Sequence, residues 1–240
     1  MRLGVIGGLG PMATAYFIEL IVNMTDAQND QDHLDMIVFN CPSIPDRTKY
    51  ILGESKESPV KAMALIGKRL AELGADHISI PCITAHYFYN DLVRLIDVPI
   101  LDAVTETANH LKEQGVKKVG ILATDGTLAG GLFQDRLSSV GIDHIIPSSY
   151  AQRGVMKIIY DDIKAGRPAN IELFGKITRE LRDSGAETII LGCTELSLIK
   201  RDFSIGAGYI DVMEVLAKAS ILRCNRLLKK QYYSLISNRG

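Results

Sequence analysis

The sequence lacks several features that define other classes of protein. It contains no tryptophan, four cysteines in 240 residues, and 27 Lys plus Arg against 28 Asp plus Glu. Because the charges nearly balance, the chain has no basic excess for binding a phosphate backbone, and we expect no nucleic-acid partner. The cysteines (Cys41, Cys82, Cys193 and Cys224) show no CxxC spacing. This predicts reduced thiols and a cytoplasmic location, with neither a structural disulfide nor a metal site.

Long apolar runs are also missing. The apolar start at residues 3–6 is cut short by glycines and by Pro11, so we expect neither a signal peptide nor a membrane partner. The glycines at residues 7–10 lack the third member of a dinucleotide-binding fingerprint, and Pro11 interrupts the pattern. We therefore do not expect NAD to bind.

Short apolar runs alternate with longer helical stretches, a pattern typical of βαβ units on buried parallel strands. The predicted strands are residues 3–6, 36–39, 77–80, 99–101, 118–123, 143–146, 188–191 and 209–210. The predicted helices are residues 59–73, 103–113, 129–139, 171–184 and 212–226. The sequence therefore predicts an α/β fold.

The chain contains an internal repeat. Residues 74–82 (GADHISIPC) match residues 185–193 (GAETIILGC) at a constant offset of 111 residues. This period is too long for a solenoid, so it predicts two pseudo-symmetric lobes with doubly wound parallel sheets. The active site is expected in the cleft between them, at the carboxyl ends of the strands. We place the first lobe at residues 1–98 plus 206–240 and the second at 99–205.

Cys82 and Cys193 end equivalent predicted strands, each just before a helix. A buried cysteine at a strand end is by itself more typical of packing. Two cysteines at equivalent positions would instead converge on one cleft, and one thiolate with one protonated thiol can act as base and acid. The N–H groups of the two turns favour an anion such as a substrate carboxylate. We therefore predict that Cys82 and Cys193 are catalytic.

Nearly the whole chain resembles the aspartate/glutamate racemase superfamily, and its aspartate racemase branch in particular. The segments that carry the resemblance are GGLGPMAT at 7–14, SIPDRT at 43–48, PCITAH at 81–86 and GCTEL at 192–196. It implies a two-lobed homodimer that uses neither pyridoxal phosphate nor a metal. It also implies that the two cysteines exchange the α-proton of a dicarboxylic amino acid, most simply aspartate.

The resemblance further implies that Arg47 and Lys164 bind the carboxylates of the substrate. The planar fork of Arg47 suits a carboxylate, and Lys164 supplies a compact charge. A solvated surface charge is the alternative for each. Thr124 and Thr127 are candidate hydroxyl donors to the same ligand, although threonine is also common in turns and caps.

Residues next to the cysteines complete the predicted site. Ile83, Thr84 and Thr194 are expected to contact the substrate. His86 and Glu195 are expected to orient or tune the neighbouring thiols, although Glu195 would also complement the dipole of its helix.

Ile83 departs from the family pattern, which usually has Asn after the first cysteine. The missing amide keeps open a related two-cysteine enzyme on another carboxylate, such as a glutamate or hydantoin racemase or a maleate isomerase. A carboxylate-binding homologue that has lost turnover is the alternative from another functional class.

Overall fold

The computed structural model describes residues 1–236, and its seven strands form two parallel sheets. The first sheet has the order β2-β1-β3 and consists of β1 (Arg2–Gly7), β2 (Asp35–Asn40) and β3 (His77–Ser79). The second has the order β5-β4-β6-β7 and consists of β4 (Lys118–Leu122), β5 (Asp143–Ile145), β6 (Thr188–Leu191) and β7 (Tyr209–Asp211). The predicted α/β class with two parallel sheets is confirmed.

Helices flank both sheets. They are α1 (Pro11–Met24), α2 (Arg47–Ile51), α3 (Val60–Glu72), α4 (Tyr89–Leu95), α5 (Ala103–Glu113), α6 (Asp125–Ala129), α7 (Leu132–Ser139), α8 (Ser149–Met156), α9 (Ile171–Asp183), α10 (Thr194–Asp202) and α11 (Val212–Arg223). Short 3₁₀ helices cover Asp30–Asp32, Ile83–Phe88 and Lys230–Tyr232, and a π-helix covers Lys157–Ile163. Between residues 1 and 236, no helix combines the length and apolarity needed to span a bilayer.

Local chemistry explains where several helices begin. Pro11 occupies the start of α1. A backbone N–H at this position has no acceptor within the helix, so the missing N–H of proline costs no hydrogen bond. Side chains of Asp102 and Asp211 accept backbone N–H groups at the first turns of α5 and α11, which satisfies donors that a helix start leaves free.

Three predicted elements differ from the structure. Residues 99–101 contribute only a bridge between Ile100 and Ile78. The helix predicted at 129–139 is interrupted at Gly131, whose φ of 64° is left-handed, so α6 and α7 are separate helices. The helix predicted at 212–226 ends at Arg223 because the chain turns at Asn225, whose φ is 57°.

Strand pairing also differs from the predicted lobe boundaries. Ile100 pairs beside β3, and β7 pairs beside β6, so both sheets have the same order when the bridge is counted. Residues 209–211 thus lie in the second sheet. Helix α11, which follows them, packs against α1, α5 and β3 and also against α10 and β7. We call the chain through α5 the first half and β4 through α11 the second half. Residues 237–240 of the predicted first lobe lie outside the described residues, and the division into domains stays a prediction.

The hydrophobic core ties the halves together. Its largest cluster combines α1 residues such as Phe17 with Ile121 of β4, Phe133 of α7 and Leu216 of α11. Separate clusters bury the outer face of each sheet. The two predicted catalytic cysteines follow the carboxyl ends of β3 and β6, and Ile83, next to Cys82, is itself part of the shared core.

Candidate active site

Cys82 and Cys193 occupy equivalent turns. Cys82 precedes the 3₁₀ helix Ile83–Phe88, and Cys193 precedes α10. Each is 5% exposed, and each cysteine carbonyl accepts the N–H three residues later, from Ala85 and Leu196. Both thiols therefore lie at helix starts, where free backbone N–H groups favour an anion.

The two cysteines line one enclosed cavity. Its lining residues are Leu9, Asp46, Arg47, Thr48, Cys82, Ile83, Thr84, Thr124, Tyr160, Lys164, Cys193, Thr194 and Glu195. Only about 10 Å³ is open to the centre of a water molecule, which is room for roughly one water. A wider pocket of about 380 Å³ shares Leu9, Asp46, Arg47, Lys164 and Glu195 with it. A ligand larger than a water molecule would therefore have to widen the enclosed cavity, and the shared residues form the connection to the wider pocket.

The thiol of Cys193 is paired with a carboxylate. Its Sγ donates to Glu195 Oε2 at 2.9 Å, and Glu195 is itself buried. Burial and the negative charge of Glu195 raise the pKa of Cys193 well above its ordinary value, against the opposing charge of Lys164. Cys193 is therefore a protonated thiol at neutral pH.

Lys164 is held in its charged form at the same end of the cavity. Its Nζ lies 3.7 Å from Glu195 Oε1 and 4.5 Å from the centre of the Tyr160 ring. Burial opposes the charge, but the carboxylate of Glu195 outweighs it and raises the pKa of Lys164 above its usual range. Burial also raises the pKa of Tyr160 to about 12, and its hydroxyl donates to Asp46 Oδ2 at 3.4 Å.

Arg47 lines the cavity, but backbone carbonyls occupy much of its fork. Nη1 donates to the carbonyls of Ile44 and Pro45 at 3.3 and 3.0 Å, and Nη2 donates to that of Leu9 at 3.0 Å. Burial lowers the pKa of Arg47, but the neighbouring Cys82 and Asp46 raise it overall. Among the described residues, its buried Nε has no partner. The charge of Arg47 thus faces Cys82, and Nε is the donor left for a ligand.

Three threonine hydroxyls form a closed, buried cluster between the halves. Thr84 Oγ1 lies 2.9 Å from Thr124 Oγ1 and 3.0 Å from Thr127 Oγ1, and the last two are 3.0 Å apart. Thr84 and Thr124 line the cavity, whereas Thr127 lies behind them. Thr194 also lines it, and its hydroxyl lies 3.4 Å from Glu195 Oε2.

The remaining predicted residues have different surroundings. Ile83 lines the cavity and is also part of the shared core. His86 lines a different pocket: its Nε2 faces the carbonyl of Ile80 at 3.3 Å and its Nδ1 lies 3.7 Å from Asp102. The structure therefore brings Glu195, but not the His86 ring, to a cysteine thiol.

Four cavity residues were not predicted from the sequence: Leu9, Asp46, Thr48 and Tyr160. Tyr160 stands four residues before Lys164, and that spacing was a usable signal because such residues share one face of a helix. Asp46 and Thr48 flank Arg47 directly. Across residues 1–236, no group of three or more His, Cys, Asp or Glu side chains converges to hold a metal ion.

Fold and site together define a two-lobed α/β protein with paired cysteines in an interlobe cavity. The chain belongs to the Asp/Glu/Hydantoin racemase family, whose family model matches residues 6–220.

Known proteins support this assignment at several levels. A structure of Picrophilus torridus aspartate racemase superposes with a TM-score of 0.85 at 34% identity, covering 98% of this chain and 100% of that one. The broad specificity amino-acid racemase RacX of Bacillus subtilis (strain 168) is 25% identical over 91% of this chain and 96% of its own length. A glutamate racemase from Francisella tularensis, solved with D-glutamate, has a TM-score of 0.68 at 17% identity, covers 92% of this chain and 81% of its own, and shows the fold alone. These relatives support racemase activity, in the isomerase class.

Proposed function

We propose that the chain is an aspartate racemase that works without pyridoxal phosphate or a metal and moves the α-proton between Cys82 and Cys193. One observation carries the proposal: two cysteines from equivalent strand ends line one enclosed cavity together with Arg47 and Lys164. Inversion at Cα needs a base on one face of the substrate and an acid on the other, and two thiols supply both.

The surroundings of the thiols suggest how the roles are divided at rest. Cys193, whose pKa is raised by burial and by Glu195, carries the proton that is delivered to Cα. Cys82 first removes the α-proton from one face, Cys193 then delivers its proton to the opposite face of Cα, and the roles reverse for the other enantiomer. The N–H groups at the two helix starts stabilise the charge that develops on the substrate carboxylate.

A dicarboxylate fits the charges at the mouth of the cavity. Lys164 and Arg47 lie where the wider pocket meets the enclosed cavity, and each is held in its charged form. Two cations suit a substrate with two carboxylates. Similarity to the Picrophilus torridus aspartate racemase supports aspartate as that substrate.

A second candidate is a two-cysteine enzyme acting on another amino acid or carboxylate. Ile83 lines the cavity, so an apolar group stands where the family resemblance predicts an amide. The match to a racemase named for broad specificity favours this candidate. Glutamate, hydantoins and maleate are therefore the first alternatives to test.

The test is exchange at Cα. The reduced protein is incubated with L-aspartate in deuterated water, and NMR follows loss of the α-proton while a chiral assay follows D-aspartate. We expect exchange with inversion in the wild type, loss of inversion in Cys82→Ala and Cys193→Ala, and unchanged rates in Cys41→Ala, which removes a cysteine that does not line the cavity.

The alternatives give different results in the same assay. Exchange with glutamate or a hydantoin but not with aspartate would support the second candidate. Binding of aspartate without any exchange would show a carboxylate-binding homologue and contradict the proposal. Inversion that persists in both cysteine variants would contradict the two-thiol mechanism.

A further inference from the structure

The repeat extends beyond the cysteines to a second pair of polar residues. His86 lies four residues after Cys82, and Ser197 lies four residues after Cys193, so the two positions share the offset of 111. Each contacts an aspartate that caps the last helix of its own half: Asp102 before α5 and Asp211 before α11. We call these contacts the first and second tether.

The first tether joins the turn of Cys82 to the start of α5. His86 Nε2 lies 3.3 Å from the carbonyl oxygen of Ile80, and the same oxygen accepts the N–H of Cys82 at 2.7 Å. His86 Nδ1 lies 3.7 Å from Asp102 Oδ1. The Nε2 atom thus faces an acceptor at hydrogen-bond distance, whereas Nδ1 faces the Asp102 carboxylate from beyond that distance and has no hydrogen-bond partner among the described residues.

Asp102 is fixed independently of His86. Its carboxylate accepts the N–H groups of Val104 and Thr105 and the hydroxyl of Thr105. Burial raises the pKa of Asp102, but the nearby His86 ring and the hydrogen bonds from Thr105 outweigh burial and lower the pKa to about 2. The carboxylate is therefore a charged, stationary anchor for the ring.

The second tether has the same plan with a neutral donor. Ser197 Oγ donates to Asp211 Oδ1 at 2.6 Å, and the same oxygen accepts the N–H of Met213 at 2.9 Å. Both side chains are completely buried. The tether therefore joins α10, whose first turn follows Cys193, to the start of α11.

Helix capping alone does not explain these contacts. The backbone N–H groups already satisfy the capping role of each aspartate, and nothing about a cap requires a partner four residues after a cysteine. Position four of a helix lies about one turn beyond its start, so a contact there fixes the direction of the first turn. That turn sets the orientation of the thiol.

We propose that the first tether positions the thiol of Cys82 and the second positions that of Cys193, each independently of the other. His86 and Ser197 are positioning residues, since neither lines the cavity. The inference rests on the proposed function, because it assigns one tether to each of the two proton-transferring thiols.

A substrate that reports on one thiol at a time provides the test. Removing the α-proton of 3-chloroaspartate expels chloride and leaves a dehydroamino acid, so only the base on one face is needed. Chloride release from the L and D isomers therefore measures the two cysteines separately. Racemisation rates cannot separate the two cysteines. The equilibrium constant between the enantiomers is one, so kcat/KM must be equal for the L-to-D and D-to-L reactions.

We expect His86→Ala to slow chloride release from one isomer at least about tenfold, and Ser197→Ala to slow it from the other, since small misplacements of a reacting group carry large rate penalties. The isomer affected by His86→Ala should be the one that Cys82→Ala abolishes. His86→Gln, which keeps an N–H able to reach the carbonyl of Ile80, should restore part of the rate.

Matched controls separate positioning from folding. His110 and Ser220 are also buried, and their partners, the N–H of Leu235 and the hydroxyl of Ser79, lie away from the cavity. His110→Ala and Ser220→Ala should lower the thermal midpoint without changing the ratio of L to D rates. For any His86 or Ser197 variant that is folded but less stable, the same ratio of L to D rates shows whether the position of a thiol has changed.

The possible failures are distinguishable. If each tether variant slows both isomers equally, the tethers do not act on separate thiols and the inference is wrong. If the wild type releases chloride from neither isomer and exchanges no α-proton, the proposed function fails and the inference with it.

Discussion

Glu195 controls the charge of two residues at one end of the cavity. One carboxylate oxygen accepts from the Cys193 thiol at 2.9 Å, and the other lies 3.7 Å from Lys164 Nζ. The same negative charge therefore disfavours the thiolate and favours the ammonium. Glu195 does more than complement the dipole of α10, because it keeps an acid and a cation side by side.

Replacing Glu195 with glutamine should lower the pKa of Cys193. The variant removes the negative charge while keeping the side-chain shape, so burial alone remains to oppose the effect of Lys164 on the thiol. The pH midpoint of Cys193 alkylation, followed by mass spectrometry of its peptide, should fall. Cys224, whose pKa burial raises to about 11, is an internal control whose midpoint should not move. An unchanged Cys193 midpoint would rule out control by Glu195.

Replacing Asp102 with asparagine should remove stability that depends on pH. Asparagine can still cap α5 through its carbonyl oxygen, so the variant removes the carboxylate charge beside His86 together with the acceptor of the Thr105 hydroxyl. Since the folded pKa of Asp102 is about 2 and lies below its usual 3.8, the stabilisation is complete above pH 3.8 and is lost as pH falls towards 2. We expect Asp102→Asn to lower the free energy of unfolding by about 1–2 kcal/mol at pH 7.

Urea unfolding of both proteins between pH 7 and pH 2 measures this effect. The difference between wild type and Asp102→Asn should shrink through the acid range. A difference that stays constant with pH would mean that the charge of Asp102 contributes nothing.

At the scale of elements, two irregular segments build the mouth of the cavity. The π-helix Lys157–Ile163 leads directly into Lys164 and also carries Tyr160. The side chains of Tyr160 and Lys164 both line the enclosed cavity. π-Helical turns are frequently found at functional sites. The glycine turn after β1 supplies the Leu9 carbonyl that holds Arg47.

Gly8 should be the least replaceable residue of that turn. Its φ is 92°, and an added Cβ would meet the backbone of Cys41 at 2.4 Å. Gly53 is a matched control, with φ of 76° and open space around an added Cβ. We expect Gly53→Ala to cost about 1 kcal/mol through backbone strain alone and Gly8→Ala to cost at least 1 kcal/mol more. Urea unfolding checks both values, and equal costs would contradict the clash.

Gly8→Ala should also impair catalysis, because a shifted Leu9 carbonyl would release Arg47. Cα exchange should fall in Gly8→Ala and stay normal in Gly53→Ala. Normal exchange in both variants would show that the turn does not support the site.

At the scale of the whole molecule, the cavity is formed where the two halves meet. Thr84 comes from the first half, Thr124 and Thr127 from the second, and their hydroxyls close one hydrogen-bonded ring. The ring lies away from the mouth of the cavity, because none of the three threonines lines the wider pocket. The homodimer remains a prediction that sedimentation velocity can test.

A double-mutant cycle should detect the link between the halves. We expect Thr84→Val and Thr127→Val each to destabilise the protein. Their effects should be non-additive by about 0.5–1.5 kcal/mol, because either change already breaks the shared hydrogen bond. Urea unfolding of the four proteins gives the coupling energy. Strict additivity would mean that the threonine ring does not couple the halves.

The sequence by itself determined the α/β class, the repeat and the equivalence of Cys82 and Cys193. These features depend on local patterns. The spacing of apolar residues, the residues that end strands and the constant offset of the repeat can all be read directly along the chain. The same offset placed His86 and Ser197 at matching positions. Their aspartate partners lie farther along the chain, and no local pattern marks that contact.

Only the tertiary structure decided which charges meet. Three contacts join segments far apart in sequence: Lys164 with Glu195, Arg47 with the Leu9 carbonyl, and Tyr160 with Asp46. The predicted lobe boundaries differ from the strand pairing for the same reason, since hydrogen bonds between strands assign residues 99–101 and 209–211 to their sheets. Burial and partner charge, which set the protonation of Cys193, exist only once the chain is folded.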